Sequence, residues 1–284
     1  MVWQISGFGD EITDLFPDQL QHMGELGIAF IEIRQFQLAG GDKKVIVDAT
    51  SQDLDGIAAA LADAGMKCSA IGSPIGKYRI DAPFEIDLQR FRGSLSAARR
   101  LDAPYVRIFS YYPPEGGDIR PHRDEVMRRL RKLCEVAENE APGVTLALEN
   151  ESDLYGETPE GCLDVLETVN SPNLGIAFDA CNFVVADVDP VAEAWPLLKN
   201  HVRYFHVKDA NAEKEMVPAG RGVANWEALL KAAREEEIGD FLSLEPHLKI
   251  AASSYGVTGP ELFSVAKKCL DEVLSKVPGL RGTA

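Results

Sequence analysis

The sequence is short of the features that mark secreted, membrane-bound or nucleic-acid-binding proteins. Its five cysteines, Cys68, Cys134, Cys162, Cys181 and Cys269, are odd in number, scattered, and form no CxxC pair. That argues against a disulfide framework and a thiolate zinc site and favours a reducing compartment. Basic residues are in deficit: 29 Lys and Arg against 45 Asp and Glu leave a formal net charge of −16. Proteins that grip phosphate backbones normally carry a basic face, so no nucleic-acid partner is expected. The opening stretch MVWQISGFGDEITD is acidic where a secretory leader would be basic. No apolar run approaches the ~20 residues of a membrane span. A cytoplasmic protein without a membrane partner is the expectation. No GxGxxG follows the first apolar run, which counts against a dinucleotide-binding sheet. No Pro/Gly/Ser-rich linker or low-complexity stretch divides the chain.

What is present is an alternation. Short apolar runs occur at residues 3–8, 30–33, 68–71, 105–109, 144–148, 174–178, 202–207 and 241–244. Helical patterns lie between them, at residues 16–26, 51–65, 88–101, 126–138, 158–169, 190–198, 226–235 and 260–274. In the first of these Phe16, Leu20, Met23 and Leu26 recur at helical spacing and Gly27 stops the pattern. Thr50 or Ser51 is placed to cap the second. Strands alternating with helices imply βαβ units and a parallel sheet. Eight such units in 284 residues predict closure into a (β/α)8 TIM barrel, a fold of roughly 250 residues, as one α/β domain spanning residues 1–284. An open doubly wound sheet is the alternative. Residues beyond Val277 are expected to fray.

In a barrel of this kind the chemistry stands at the carboxyl ends of the strands. The predicted ends carry Glu32 and Arg34, Lys77, Arg107 and Ser110, then Glu149, Asp179, His206 with Lys208 and Asp209, and Glu245 with His247. Each charge abuts an apolar run, and burying an unpaired charge is costly. Salt bridges to Lys208, Arg107 and Arg34 are the plain explanation for any one of them. Four consecutive strands ending in Glu, Asp, His and Glu call for more, because one divalent cation satisfies all four at once. Oxygen-rich ligands with one histidine suit Mn, Mg or Co better than a structural Zn site. One divalent metal ion (Mn, Mg, Co or Zn) is expected, with Mn favoured.

The ordered motifs ALEN, FDACN, FHVKD and LSLEP, followed through VPAGRGVANWEALL, resemble the xylose isomerase-like barrel superfamily of sugar (phosphate) isomerases and epimerases along essentially the whole chain. The resemblance implies that Glu149, Asp179, His206 and Glu245 bind one divalent metal. It also implies that Glu149 and Glu245 act as the acid/base pair, on opposite faces of a small keto-sugar, sugar phosphate or related polyol, through an enediolate. Related ketose 3-epimerases carry a substrate-gripping Glu six residues after the first ligand and a His three after the second. Here Tyr155 and Asn182 stand there, so the metal chemistry carries over better than the substrate. Lys208, Asn182, Arg107, Lys77 and Tyr155 are the substrate-binding candidates. Salt bridging is the plainer role for Arg107 and Lys77, whereas for Lys208 pairing with a carboxylate and holding a substrate oxygen or anionic group stand level. His247 reads as a solvated loop residue, and His22, His122 and His201 as surface residues. Trp3 reads as pocket wall or core, and Cys181 falls near the metal. Relatives are often dimers or tetramers, so a homo-oligomer is allowed.

Three other functions share this pattern. A dehydroshikimate dehydratase-like lyase would use the same rim, with Arg34, Arg107 or Lys77 on a substrate carboxylate. A type IV DNA-repair endonuclease would hold three zinc ions with several further histidines; the chain has only five His, and Asn182 stands at one such place. A non-catalytic sugar-binding barrel would show a lost ligand, and none is lost.

Overall fold

A computed structural model describes residues 3–248 and 258–277. Eight parallel strands form the centre: β1 (Gln4–Gly7), β2 (Phe30–Ile33), β3 (Lys67–Ile71), β4 (Tyr105–Ile108), β5 (Thr145–Glu149), β6 (Leu174–Asp179), β7 (Val202–Val207) and β8 (Phe241–Leu244). They pair in the order β1-β8-β7-β6-β5-β4-β3-β2. Across the remaining seam a single parallel bridge joins Phe8 to Glu32. The sheet is therefore a nearly closed (β/α)8 barrel. Its strands are buried on both faces, which is why they read as apolar runs without clean alternation.

The helices α1 (Phe16–Glu25), α2 (Ser51–Ala64), α3 (Phe84–Arg100), α4 (Arg123–Glu140) and α5 (Pro159–Val169) follow the first five strands. Thr50 caps α2 in a full capping box: its hydroxyl accepts from the Asp53 N–H while Asp53 accepts from the Thr50 N–H. Gly65 ends α2 at φ +64°, a conformation that costs glycine nothing. Thr158 caps α5, and Pro159 opens it where no N–H is needed.

The region after β6 departs from the expectation. A short helix, Ala180–Val185, follows directly. The helix expected at 190–198 is a wide π-type turn, Pro190–Ala194, running into a single α-turn, α6 (Trp195–Leu198). Pro196 has no N–H to continue a regular ladder. The Asp189 carboxylate accepts from Val191 and Ala192 instead. Two more helices, α7 (Trp226–Glu235) and α8 (Pro260–Leu274), complete the ring. Two small hairpins, Gln35–Phe36 with Lys44–Val45 and Asp209–Ala210 with Met216–Val217, decorate the exits of β2 and β7.

At the amino ends of the strands the interior is plugged by Phe30, Tyr105, Tyr204 and Phe241 among the small Ala70, Ala147 and Ala177. Tyr105 and Tyr204 lie 5.3 Å apart, Phe30 and Phe241 5.1 Å. Trp3 is core at this end, donating its indole N–H to the Ile238 carbonyl. It walls no pocket at the opposite rim. The tail after Val277, expected to fray, lies outside the described residues. Among the described residues, no helix is long and apolar enough to cross a membrane.

Candidate metal centre

Register brings the strand-end charges together. β6 and β7 pair so that Asp179 faces His206. Glu149 closes β5, and Glu245 follows β8 with its N–H on the Val207 carbonyl. One ligand atom from each of Glu149, Asp179, His206 and Glu245 lies within 4.8 Å of the others, and all four residues are buried.

The local sequence aims these groups. Asn150 replaces a strand partner, accepting from the Asp179 N–H and donating to the Asp179 carbonyl, both at 2.9 Å. Asp179 Oδ1 then accepts from the Asn182 N–H at 2.9 Å, capping the short helix, so Oδ2 is left for the cluster. The Asn182 side chain donates to the Asn150 carbonyl at 2.8 Å and to Glu149 Oε1 at 3.4 Å.

Cations surround the carboxylates. Lys208 Nζ lies 2.8 Å from Asp179 Oδ2, 3.1 Å from Glu245 Oε2 and 4.0 Å from Glu149 Oε1. Arg107 Nη1 lies 3.2 Å from Glu149 Oε2 and 3.8 Å from Glu245 Oε1. Both basic groups are buried. Burial favours neutral groups, yet these charges overcome it. It works to raise the Glu149 and Glu245 carboxyls, but His206 and Arg107 hold the first low, and Lys208 and His247 the second. Burial wins at Asp179, which is pushed up despite Lys208. Burial would lower His206, but Glu149 and Glu32 raise it.

A divalent cation fits this set. Glu149 Oε2, Asp179 Oδ2 and His206 Nδ1 are buried without a hydrogen bond, although each has a charged neighbour at 3.2, 2.8 and 3.0 Å respectively. Such orphaned atoms are costly. The residues that hold them belong to the group whose ligand atoms lie within 4.8 Å of one another, an oxygen-rich set with one imidazole nitrogen that a hard or borderline cation satisfies.

The other candidates divide. Lys77 sits at the rim, paired with Glu151 at 2.6 Å and 4.4 Å above the Phe109 ring. Tyr155 is not brought to the cluster: its hydroxyl donates to Asp164 at 2.5 Å, beside Arg123. Cys181 is buried with its Sγ 3.4 Å from Met216 Sδ, outside the ligand group. His247, expected in solvent, is drawn inward: its Nε2 lies 3.3 Å from Glu11 and 3.4 Å from Glu245. Its side chain keeps 25 % of its surface.

Asp10 and Glu11 carry no signal in the sequence pattern that marks them as part of the site. Both are buried in the turn after β1 and both pair with Arg34, at 2.8 and 3.0 Å, which also reaches Glu245 at 2.8 Å. Glu32 reads in the sequence only as a strand-end charge. That carboxylate is wholly buried and accepts from Ser243 and Tyr204 across the barrel. The available signal was an acidic residue inside the apolar run FIEI.

The sequence matches the family described as xylose isomerase-like TIM barrel over residues 20–261. It is 22 % identical over 184 residues to a 3-dehydroshikimate dehydratase of Bacillus anthracis, covering 58 % of this chain and 64 % of that one. It is 21 % identical over 202 residues to an inosose isomerase of Bacillus subtilis, covering 66 % and 69 %. The chain thus spans less than two thirds of the dehydratase's length. The fold is similar to that of the IOLI protein with a bound zinc atom (TM-score 0.78, 20 % identity, 98 % and 100 % of the two chains). It is also similar to that of a barrel protein of Mycobacterium smegmatis in complex with magnesium (TM-score 0.71, 18 % identity, 96 % and 98 %).

Proposed function

Because this chain belongs to the xylose isomerase-like TIM barrel family, we propose that it is a divalent-metal-dependent isomerase or epimerase of a small keto-sugar, sugar phosphate or related polyol. The observation that carries this is the convergence of two buried glutamates, Glu149 and Glu245, with Asp179 and His206 within 4.8 Å.

Isomerisation and epimerisation both begin by removing a proton from the carbon next to a carbonyl, which leaves an enediolate. Glu149, Asp179, His206 and Glu245 would hold the metal, which when bound supplies Lewis-acid polarisation of the substrate oxygens. The residues do the rest. Glu149 and Glu245 are the acid/base pair: the one that is ionised takes the proton, and in an inversion the other must enter the turnover protonated so that it can return one. Use of both, from opposite sides, inverts the carbon; return to the neighbouring carbon moves the carbonyl. Lys208, Arg107 and Asn182 touch the glutamates and are the nearest donors for substrate oxygens. Lys77 lies further out, suited to a distal group.

Dehydration is the second reading, favoured by one feature. Arg34 and Arg107 flank the same Glu245 oxygen, at 2.8 and 3.8 Å, and a substrate carboxylate would exchange into that pairing.

The test is solvent-deuterium incorporation followed by NMR, with metal-stripped protein with and without Mn. The substrates are ketoses, their phosphates, sugar acids and dehydroshikimate. Metal-dependent exchange next to a carbonyl supports the isomerase. Water loss without reversible exchange supports the lyase. Glu149→Gln and Glu245→Gln should each abolish turnover while the far-UV spectrum is retained; near-normal turnover in either removes its role.

A further inference from the structure

Glu32 carries a charge into the barrel interior at 0 % exposure, and nothing in the chemistry above uses it. Three donors meet its two oxygens. The Tyr204 hydroxyl donates to Oε1 at 3.1 Å and the Ser243 hydroxyl to Oε2 at 2.8 Å. The third neighbour is His206 Nε2, 3.3 Å from Oε2 and 3.4 Å from Oε1. The opposite ring nitrogen, Nδ1, faces Glu149 at 3.0 Å and Glu245 at 3.7 Å and has no hydrogen bond. We infer that Glu32 is a positioning residue for the metal centre, taking the Nε2–H of His206 so that the Nδ1 lone pair is presented to the cation.

A neutral imidazole has one N–H, and the group that accepts it fixes which nitrogen is free to ligate. Were the proton on Nδ1, a donor would point into the ligand cluster and His206 would be lost as a ligand. Tyr204 and Ser243 lock the Glu32 carboxylate, and the rings of Phe8 and Tyr204, each 5.2 Å from the imidazole, fix its plane. A carboxylate behind a ligating histidine also raises its basicity, and loss of such a partner typically costs about 10–100-fold in metal affinity.

The inference rests on the metal reading above, and the experiment separates the two. Zinc affinity is measured by chelator competition for the wild type, Glu32→Gln and Glu32→Asp. Ring 15N NMR is recorded on the zinc-loaded wild type. The expected results are a roughly 10–100-fold weaker Glu32→Gln with an unchanged far-UV spectrum, and partial recovery in Glu32→Asp. In the wild type, zinc is expected on Nδ1 with a slowly exchanging proton on Nε2. Equal affinity of Glu32→Gln and wild type, or zinc on Nε2, overturns the role of Glu32 and leaves the metal site standing. A wild type that binds no zinc overturns both. The wild-type spectrum decides the matter even if the variants do not fold.

Discussion

Replacing Asp209 by alanine should cost more stability than almost any other single change of a polar residue here, and the reason is countable. Asp209 is fully buried at the exit of β7, directly after Lys208. Its Oδ1 accepts from the N–H of Ala210 at 2.9 Å and Ala224 at 3.0 Å. Its Oδ2 accepts from Gly220 at 3.0 Å and Gly222 at 3.1 Å. One carboxylate thus gathers both ends of the segment 210–224. Ala210 and Ala224 are buried, so alanine at 209 strands two amides at about 1–3 kcal/mol each. Gly220 is exposed and Gly222 half-buried, so the loss of their bonds adds less. The loss is about 2–6 kcal/mol, against a typical total of 5–15 kcal/mol. Asparagine keeps one acceptor oxygen for the buried pair but turns an NH2 toward two N–H donors, so its loss should be smaller without vanishing. Urea unfolding reads both as a lower midpoint at unchanged slope. Hydrogen exchange at Ala224 should accelerate. An Asp209→Ala midpoint equivalent to under about 0.5 kcal/mol, the range of ordinary surface changes, would refute the reasoning.

Three further outcomes are expected. Mn at a hundredfold excess over its Kd should stabilise the stripped protein by about 2.7 kcal/mol, which is roughly 5–11 °C in Tm by thermal scanning; no shift would count against the metal site. Gly76→Ala should destabilise by about 2 kcal/mol or more in urea, since Gly76 holds φ +83° and an added Cβ would strike the Phe109 carbonyl. Asp164 is held at about 2 by hydrogen bonds from Arg123 first, against burial, and then from Tyr155 and Thr168. A depressed carboxyl stabilises above its unfolded value near 4 and loses that contribution as pH falls toward 2, so Asp164→Asn should cost about 1 kcal/mol at pH 7, discounted for partial exposure, and almost nothing at pH 2.

The barrel was legible because each strand is an apolar run and each helix has one apolar stripe, and these periods survive in a single sequence. The capping box at Thr50 was half legible: threonine was visible, whereas its reciprocal bond with Asp53 needed geometry. The region after Asp179 was not legible, because a helical pattern at 190–198 does not report how Pro196 unwinds it. The four clustered residues could be named because each closes an apolar run, where a charge is conspicuous. Their neighbours were hidden by ambiguity. Asp10 and Glu11 fall in an acidic opening that reads as surface, and only Arg34 arriving from β2 explains their burial. His247 follows Pro246 in a loop, and its turn toward Glu11 has no periodic signature. Glu32 was visible as a charge but not as a partner, since Tyr204 and Ser243 lie 172 and 211 residues away.

The cations around the centre do more than neutralise it, and the atom-level pattern shows how. Each carboxylate has one oxygen occupied from behind and one turned inward. Glu245 Oε1 is taken by Arg34 and approached by His247, while Oε2 faces His206 at 3.7 Å. Glu149 Oε2 faces Arg107 while Oε1 lies 3.0 Å from His206. Asp179 Oδ1 caps the helix at Asn182 while Oδ2 turns to the cluster. Three buried carboxylates left to themselves would repel one another and take up protons. Tethering one oxygen of each to an arginine or an amide fixes its rotamer, so the inward oxygens need little reorganisation to receive a cation. Lys208 is the exception, because its ammonium contacts the inward oxygens themselves, Asp179 Oδ2 and Glu245 Oε2. A cation drawn to those oxygens must therefore share them with Lys208 or turn it toward the open end of the barrel, where a substrate oxygen would meet it.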